Sequence, residues 1–196
     1  MPNTTPNLGL IKPLVTEQYD IAKVTNENAD KIDLLLAPKA NPTFTGVVTA
    51  SQIKFPATQV PSSDPNTLDD YEEGSFTPIL YGIGSAGTTT YNVRFASYTK
   101  VGRSVSFQIY LEWSSHTGSG GMRLSGLPFL NLANQLASLN ISYVHNVTMN
   151  AGKYLGGYID GNFIVFVSNA VGGGTVTPFD VSANGAIMIS GTYLTT

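Results

Sequence analysis

The tightest constraint on this chain is the run RSVSFQIYLEW, Arg103 to Trp113. Val105, Phe107, Ile109, Leu111 and Trp113 alternate with Ser104, Ser106, Gln108, Tyr110 and Glu112. A period of two belongs to a strand, and it puts the apolar set on one face and the polar set on the other. Such a strand needs a partner layer to cover its apolar face. Similar runs recur at 76–81, 90–100, 121–126, 139–148, 153–159, 162–168, 175–181 and 186–194, with turn residues between them. That spacing predicts an antiparallel β-sandwich, jelly-roll-like, over 68–196. YIDGNFIVFV reads as a hairpin, with Asp160-Gly161 suited to a type I′ turn. Its second strand, Phe163 to Val167, is apolar on both faces and is expected to be central or covered by another chain.

The segments before residue 68 read differently. Residues 1–15 contain Pro2, Pro6 and Pro13, and predict an extended arm that docks into a partner. Residues 16–36 predict a short helix, capped by Thr16 and followed by Pro38. Two thin heptad seams run along it, Ala22-Thr25-Ala29-Ile32-Leu36 and Ile21-Thr25-Asn28-Ile32-Leu35. One reading packs this helix on its own domain. The other joins identical chains in a short parallel trimeric coiled coil, with Asn28 fixing register. Residues 37–67 hold five prolines and no helical period, though TFTGVVTAS alternates like a strand. A linker of this length is unusual inside one domain, and a short shaft of intertwined chains accounts for it.

Charge narrows the function classes. Charged residues are 12% of the chain, against about 25% in ordinary soluble domains. The net charge is −3 and the ten basic residues are scattered, so no nucleic-acid partner is expected. There is no cysteine, which excludes disulfides and thiol catalysis. No apolar run approaches the roughly 18 residues of a membrane span, so no membrane insertion is expected. The N-terminal residues lack the pattern of a signal peptide.

Candidate chemistry is sparse. LDDYEEGSFTPIL concentrates Asp69, Asp70, Glu72 and Glu73 in five positions. A glycosidase needs two carboxylates across a sugar, roughly 5–9.5 Å apart. Neighbours such as Glu72 and Glu73 diverge, so the run is expected to accept hydrogen bonds in a tight turn. GIGSAG, Gly82 to Gly87, matches G-x-G-x-x-G but precedes a strand-like TTTYNVRF, so it reads as a flexible loop with no dinucleotide. His116 is expected in a loop and His145 on a strand, with no metal site. Aromatic faces beside hydrogen-bonding groups suit sugars. On that ground the candidate ligand-binding residues are Tyr98 (alternating with Arg94 and Lys100), Tyr110 and Glu112, and Tyr158 and Asp160 at the hairpin tip. The same pattern also serves plain strand surface or contact between chains. Trp113, on the apolar face, is expected in the core.

Three stretches together resemble bacteriophage appendage proteins. NLGLIKPLVTEQYDIAKVTNENADKIDLLL resembles the N-terminal attachment segment of tail fibres. APKANPTFTGVVTAS resembles a fibre shaft motif, present once. NTLDDYEEGSFTPIL, with YTKVGRSVSFQIYLEW and SGLPF, resembles the C-terminal head of fibres and spikes. The resemblance implies a homotrimer on the virion, as a tail-fibre, baseplate or capsid appendage. Its arm would dock to the particle and its head would bind a host surface glycan, with no cofactor and no enzymatic activity. A purely structural head fibre or decoration protein, and a small glycan hydrolase, are the alternatives.

Overall fold

The computed structural model describes residues 45–195, apart from 59, 61 and 65, together with the backbone of two short N-terminal strands. The chain divides into two compact units, Met1–Ile53 and Lys54–Thr196. In the first, β1 (Asn3–Thr4) pairs antiparallel with β2 (Ile11–Lys12), Asn3 opposite Lys12. The extended arm expected at 1–15 therefore carries a short antiparallel pair. The helix expected over 16–36 lies outside the described residues. The alternation at TFTGVVTAS predicted a strand, yet residues 45–51 form none. Alternation alone does not supply the second strand that satisfies an extended backbone.

The second unit holds β3 (Tyr71–Ser75), β4 (Ile79–Gly82), β5 (Thr89–Val101), β6 (Ser104–His116), β7 (Met122–Ser125) and β8 (Ala137–His145). After these come β9 (Lys153–Asp160), β10 (Phe163–Ala170), β11 (Thr177–Pro178) and β12 (Gly185–Leu194). They form one curled antiparallel sheet, in the order β3-β5-β6-β12-β8-β9-β10-β7-β4, with β11 beside β10. Most of the expected strands are present within a few residues. β3 is the exception: the second half of the acidic run lies on a strand, with Glu72 opposite Lys100 and Glu73 opposite Thr99. The strand expected at 175–181 shrinks to the two residues of β11.

The sheet turns at β8. Its first residues, Ala137 and Ser138, pair with Ile159 and Tyr158 of β9, while Leu139 onward pairs with β12. Two layers thus face each other, compatible with the sandwich read from the sequence. Val105, Phe107, Ile109, Leu111 and Trp113 are all buried in the shared core, as their alternation required. Ile187 and Ile189 join them from β12, Ile164 and Phe166 from β10, and Leu80 from β4. Each such side chain contributes about 1.5–3 kcal/mol on burial. Trp113 also donates its Nε1–H to the Ser182 carbonyl at 3.0 Å. β10 is interior, between β9 on one side and β7 and β11 on the other, as its two apolar faces required.

The curled sheet is laced shut by side chains of β5. The Tyr91 hydroxyl accepts from the Leu80 N–H at 2.8 Å, and Thr89 Oγ1 donates to the Leu80 carbonyl at 3.3 Å. Arg94 Nε donates to the Pro78 carbonyl at 2.7 Å, with its guanidinium 4.5 Å from the Tyr91 ring centroid. These bonds cover the edge strand β4, whose backbone would otherwise be open to another chain.

Two turn expectations are corrected. In the β9–β10 hairpin Asp160 pairs with Phe163, so the loop residues are Gly161 and Asn162. Gly161 has φ +59° and Asn162 is not among the residues with positive φ. That is the pattern of a type II′ turn, where a type I′ turn needs both residues positive. The GIGSAG loop is fastened, where a flexible loop was expected. Gly84 N–H and Ser85 N–H donate to the Ser119 carbonyl, and Ser119 N–H returns a bond to the Ser85 carbonyl at 3.1 Å. Gly87 sits at φ +69° against the backbone of Gly118, with no room for a Cβ.

Candidate functional site

The acidic run resolves first. Asp70 is buried and paired with the Lys100 ammonium. Glu72 accepts a hydrogen bond from the Tyr98 hydroxyl, and Glu73 accepts one from Tyr71. The Asp69 carboxylate accepts from the Ser62 N–H at 3.0 Å. Asp70 and Glu72 tie this end of the sheet to β5, Asp69 ties it to the preceding segment, and Glu73 is held within β3, as side-chain links in place of the expected tight turn.

Tyr98 is corrected with them. Even-numbered residues from Arg94 to Lys100 were expected to face outward. Ala96 and Lys100 are buried instead, and Tyr98 packs on the core. Its ring meets Phe129 edge-on at 5.5 Å and Phe76 at 6.3 Å. Burial and the Glu72 carboxylate push its hydroxyl up to about 12. The sequence misled at Tyr98 and Lys100 because these polar groups find partners inside the fold, Lys100 at Asp70 and Tyr98 at Glu72, whereas Arg94 is exposed as expected.

Tyr110 and Glu112 do lie on an outer face, that of β5, β6, β12 and β8. The register builds transverse rows across these strands. Phe95, Tyr110, Met188 and Tyr143 form one row. The next is Ser97, Gln108, Ser190 and Asn140, and beyond it lie Thr99, Ser106 and Thr192. An apolar, aromatic ridge therefore borders a field of hydroxyls and amides without one charge. The field is a shallow concavity of about 750 Å³. Ser106 and Thr192 bond each other at 3.0 Å. At the ridge, Tyr110 donates to Glu112 Oε2 at 3.2 Å and Asn92 Nδ2 donates to Glu112 Oε1 at 3.2 Å. Burial, then the Glu112 carboxylate, raise the Tyr110 hydroxyl above its usual value. Tyr143 stacks on His145 at 6.2 Å.

The hydroxyl and amide field was not named from sequence, although Gln108 and Ser106 were placed on the outer face. The signal was available: beyond the ridge, the outward positions of β5, β6 and β12 are Ser, Thr or Gln in register. Only the pairing order shows that these strands are neighbours. Tyr158 and Asp160 lie elsewhere, on β9 in the other layer, so the five nominated residues do not form one site.

His116 ends β6 and is buried, where a loop was expected. Its Nδ1 lies 2.8 Å from Thr89 Oγ1, and burial lowers its pKa. Among the described residues no three His, Asp or Glu side chains cluster as metal ligands would.

Among the described residues the fold class is an all-β curled sheet with two facing layers. The Dettilon tailspike protein has a similar fold in its crystal structure: TM-score 0.53 at 19% identity, over 63% of this chain and 23% of that one. This chain thus corresponds to under a quarter of the tailspike's length. No family model and no curated protein matches the chain.

Proposed function

We propose that the chain is a bacteriophage virion appendage whose β head binds a saccharide on the host surface, without cleaving it. The observation that carries this is the uncharged field of Ser97, Gln108, Asn140, Ser190 and Thr192 beside the ridge of Tyr110 and Tyr143. Hydroxyls and amides exchange hydrogen bonds with sugar hydroxyls, and tyrosine rings cover the apolar face of a sugar ring. The fold shared with a tailspike protein supports the placement on a virion. The engagement of Asp70, Glu72 and Glu73 in structural contacts supports binding without hydrolysis. A homotrimer is part of the proposal. Val47, Val48, Ile53 and Val60 are uncovered in a single chain, and partner chains winding a shaft would cover them. Three heads on one axis turn weak sugar contacts into firm adsorption.

A second reading is favoured by Phe95, Met188 and Tyr143, which are exposed together on the ridge. There the ridge packs on a neighbouring subunit and the appendage is purely structural. The test is competition: host cells are preincubated with the purified chain and then challenged with virions. Blocked adsorption, relieved by Ser190→Arg and Asn140→Ala, supports saccharide binding. Unchanged adsorption at saturating protein supports the structural reading. Light scattering checks the trimer against the 20.8 kDa chain.

A further inference from the structure

The chain has three arginines, and they are not equivalent. Arg94 Nε donates to the Pro78 carbonyl and Arg103 Nε donates to the Thr195 carbonyl at 3.1 Å. The Arg123 side chain, on β7, makes no hydrogen bond or ion pair to any described residue. It is half-buried on an interior strand, with its guanidinium 5.8 Å from the Phe163 ring centroid. Tyr81 meets the same ring edge-on at 6.0 Å.

The register places a second group opposite. Val165 of β10 pairs with Arg123 on one side and with Tyr158 on the other. Arg123 and Tyr158 therefore stand two strand spacings apart, about 10 Å. Between them lies a pocket of about 240 Å³, which Val165, Val167 and Ile83 also line. An apolar floor, a tyrosine on one wall and, on the other, a planar cation with no carboxylate partner among the described residues select an amphipathic ligand with an acid group. A guanidinium fork binds carboxylates in two parallel hydrogen bonds.

We propose that this pocket on the outer face of the second layer is a binding site for an anionic, carboxylate-bearing saccharide. Arg123 grips the acid group. Tyr158 and the Val165 floor contact the sugar ring. Phe163, itself packed edge-on against Tyr81, supports the guanidinium. The site is separate from the uncharged field on the first layer and stands whether or not that field binds sugar.

The test is calorimetric titration of the full chain with trigalacturonate, with its carboxyl-reduced counterpart and with inorganic phosphate. Trigalacturonate is expected to bind with an affinity that falls as salt rises, and the carboxyl-reduced form is expected not to bind. Arg123→Gln is expected to weaken trigalacturonate at least about tenfold, with Arg123→Lys intermediate because it keeps charge and loses the fork. Thermal unfolding of each variant reports whether it folds. If Arg123→Gln does not fold, the carboxyl-reduced comparison on the native chain decides. Equal binding of the reduced sugar, or no loss in a folded Arg123→Gln, overturns the proposal. Phosphate binding as tightly as trigalacturonate also overturns it, because the pocket would then be a bare anion site. A failure here leaves adsorption through the first layer to be judged by its own variants.

Discussion

Asp70 and Lys100 form an ion pair within the second unit, with only 6% and 2% of their surfaces exposed. Asp70 precedes β3 and Lys100 lies near the end of β5, so the pair fastens the first strand of the sheet to its neighbour. The Asp70 carbonyl also accepts from the Gly102 N–H at 2.8 Å. Removing one member leaves the other charged and buried, which costs about 3–5 kcal/mol. Asp70→Asn and Lys100→Met are each expected to lower the unfolding free energy, read from urea titration, by that amount. The double variant, with no stranded charge, is expected to recover much of the loss. Equal loss in singles and double would mean that packing, and not charge, holds this end.

Tyr91 reports on the lacing of the sheet. Tyr91→Phe removes the acceptor of the Leu80 N–H, and Leu80 is almost fully buried. An orphaned buried donor costs roughly 1–3 kcal/mol. The expected result is faster amide exchange confined to β4, at Leu80 and its neighbours. Uniform acceleration across the unit would indicate global loss instead.

Alkaline stability follows from Tyr98 and Tyr193, both pushed up to about 12, chiefly by burial. A raised folded pKa means that the unfolded chain loses the proton first. The stabilisation is complete below about pH 10 and declines as pH rises from there towards 12. Phenolate absorbance is expected to rise in two stages, the later one coinciding with unfolding. Tyr98→Phe should flatten the decline above about pH 10. An unchanged profile would mean that Tyr98 does not contribute to it.

His116 sets the acid side. Burial lowers its pKa from 6.5, so the unfolded chain takes up the proton first as pH falls. Stability from this group is complete above about pH 6.5 and is lost as pH drops through the lowered folded value. The Tm of the native chain is therefore expected to fall between neutral and mildly acid pH. The fall should be smaller in His116→Gln, and identical slopes would rule out this histidine as the cause.

The amino-acid sequence by itself determined the strands. Period-two alternation such as that of Val105 to Trp113 is a local property, because successive side chains of any strand point to opposite faces. That alone named most of the strands and placed Trp113 in the core. Which face of a polar strand turns inward was not local. Tyr98 and Lys100 look like solvent-facing residues until Glu72 and Asp70 are brought against them from a distant part of the chain. Glu72 and Glu73 lie on a strand for the same reason: its partner, β5, begins well downstream and is not visible in the composition of the acidic run. The two candidate sites follow the same rule. Tyr110 and Glu112 were legible singly, as were Tyr158 and Asp160, but the uncharged field needs four strands in register. The Arg123 pocket needs β7, β10 and β9 side by side. Periodicity fixes what each strand presents; only pairing order decides which presented groups become neighbours.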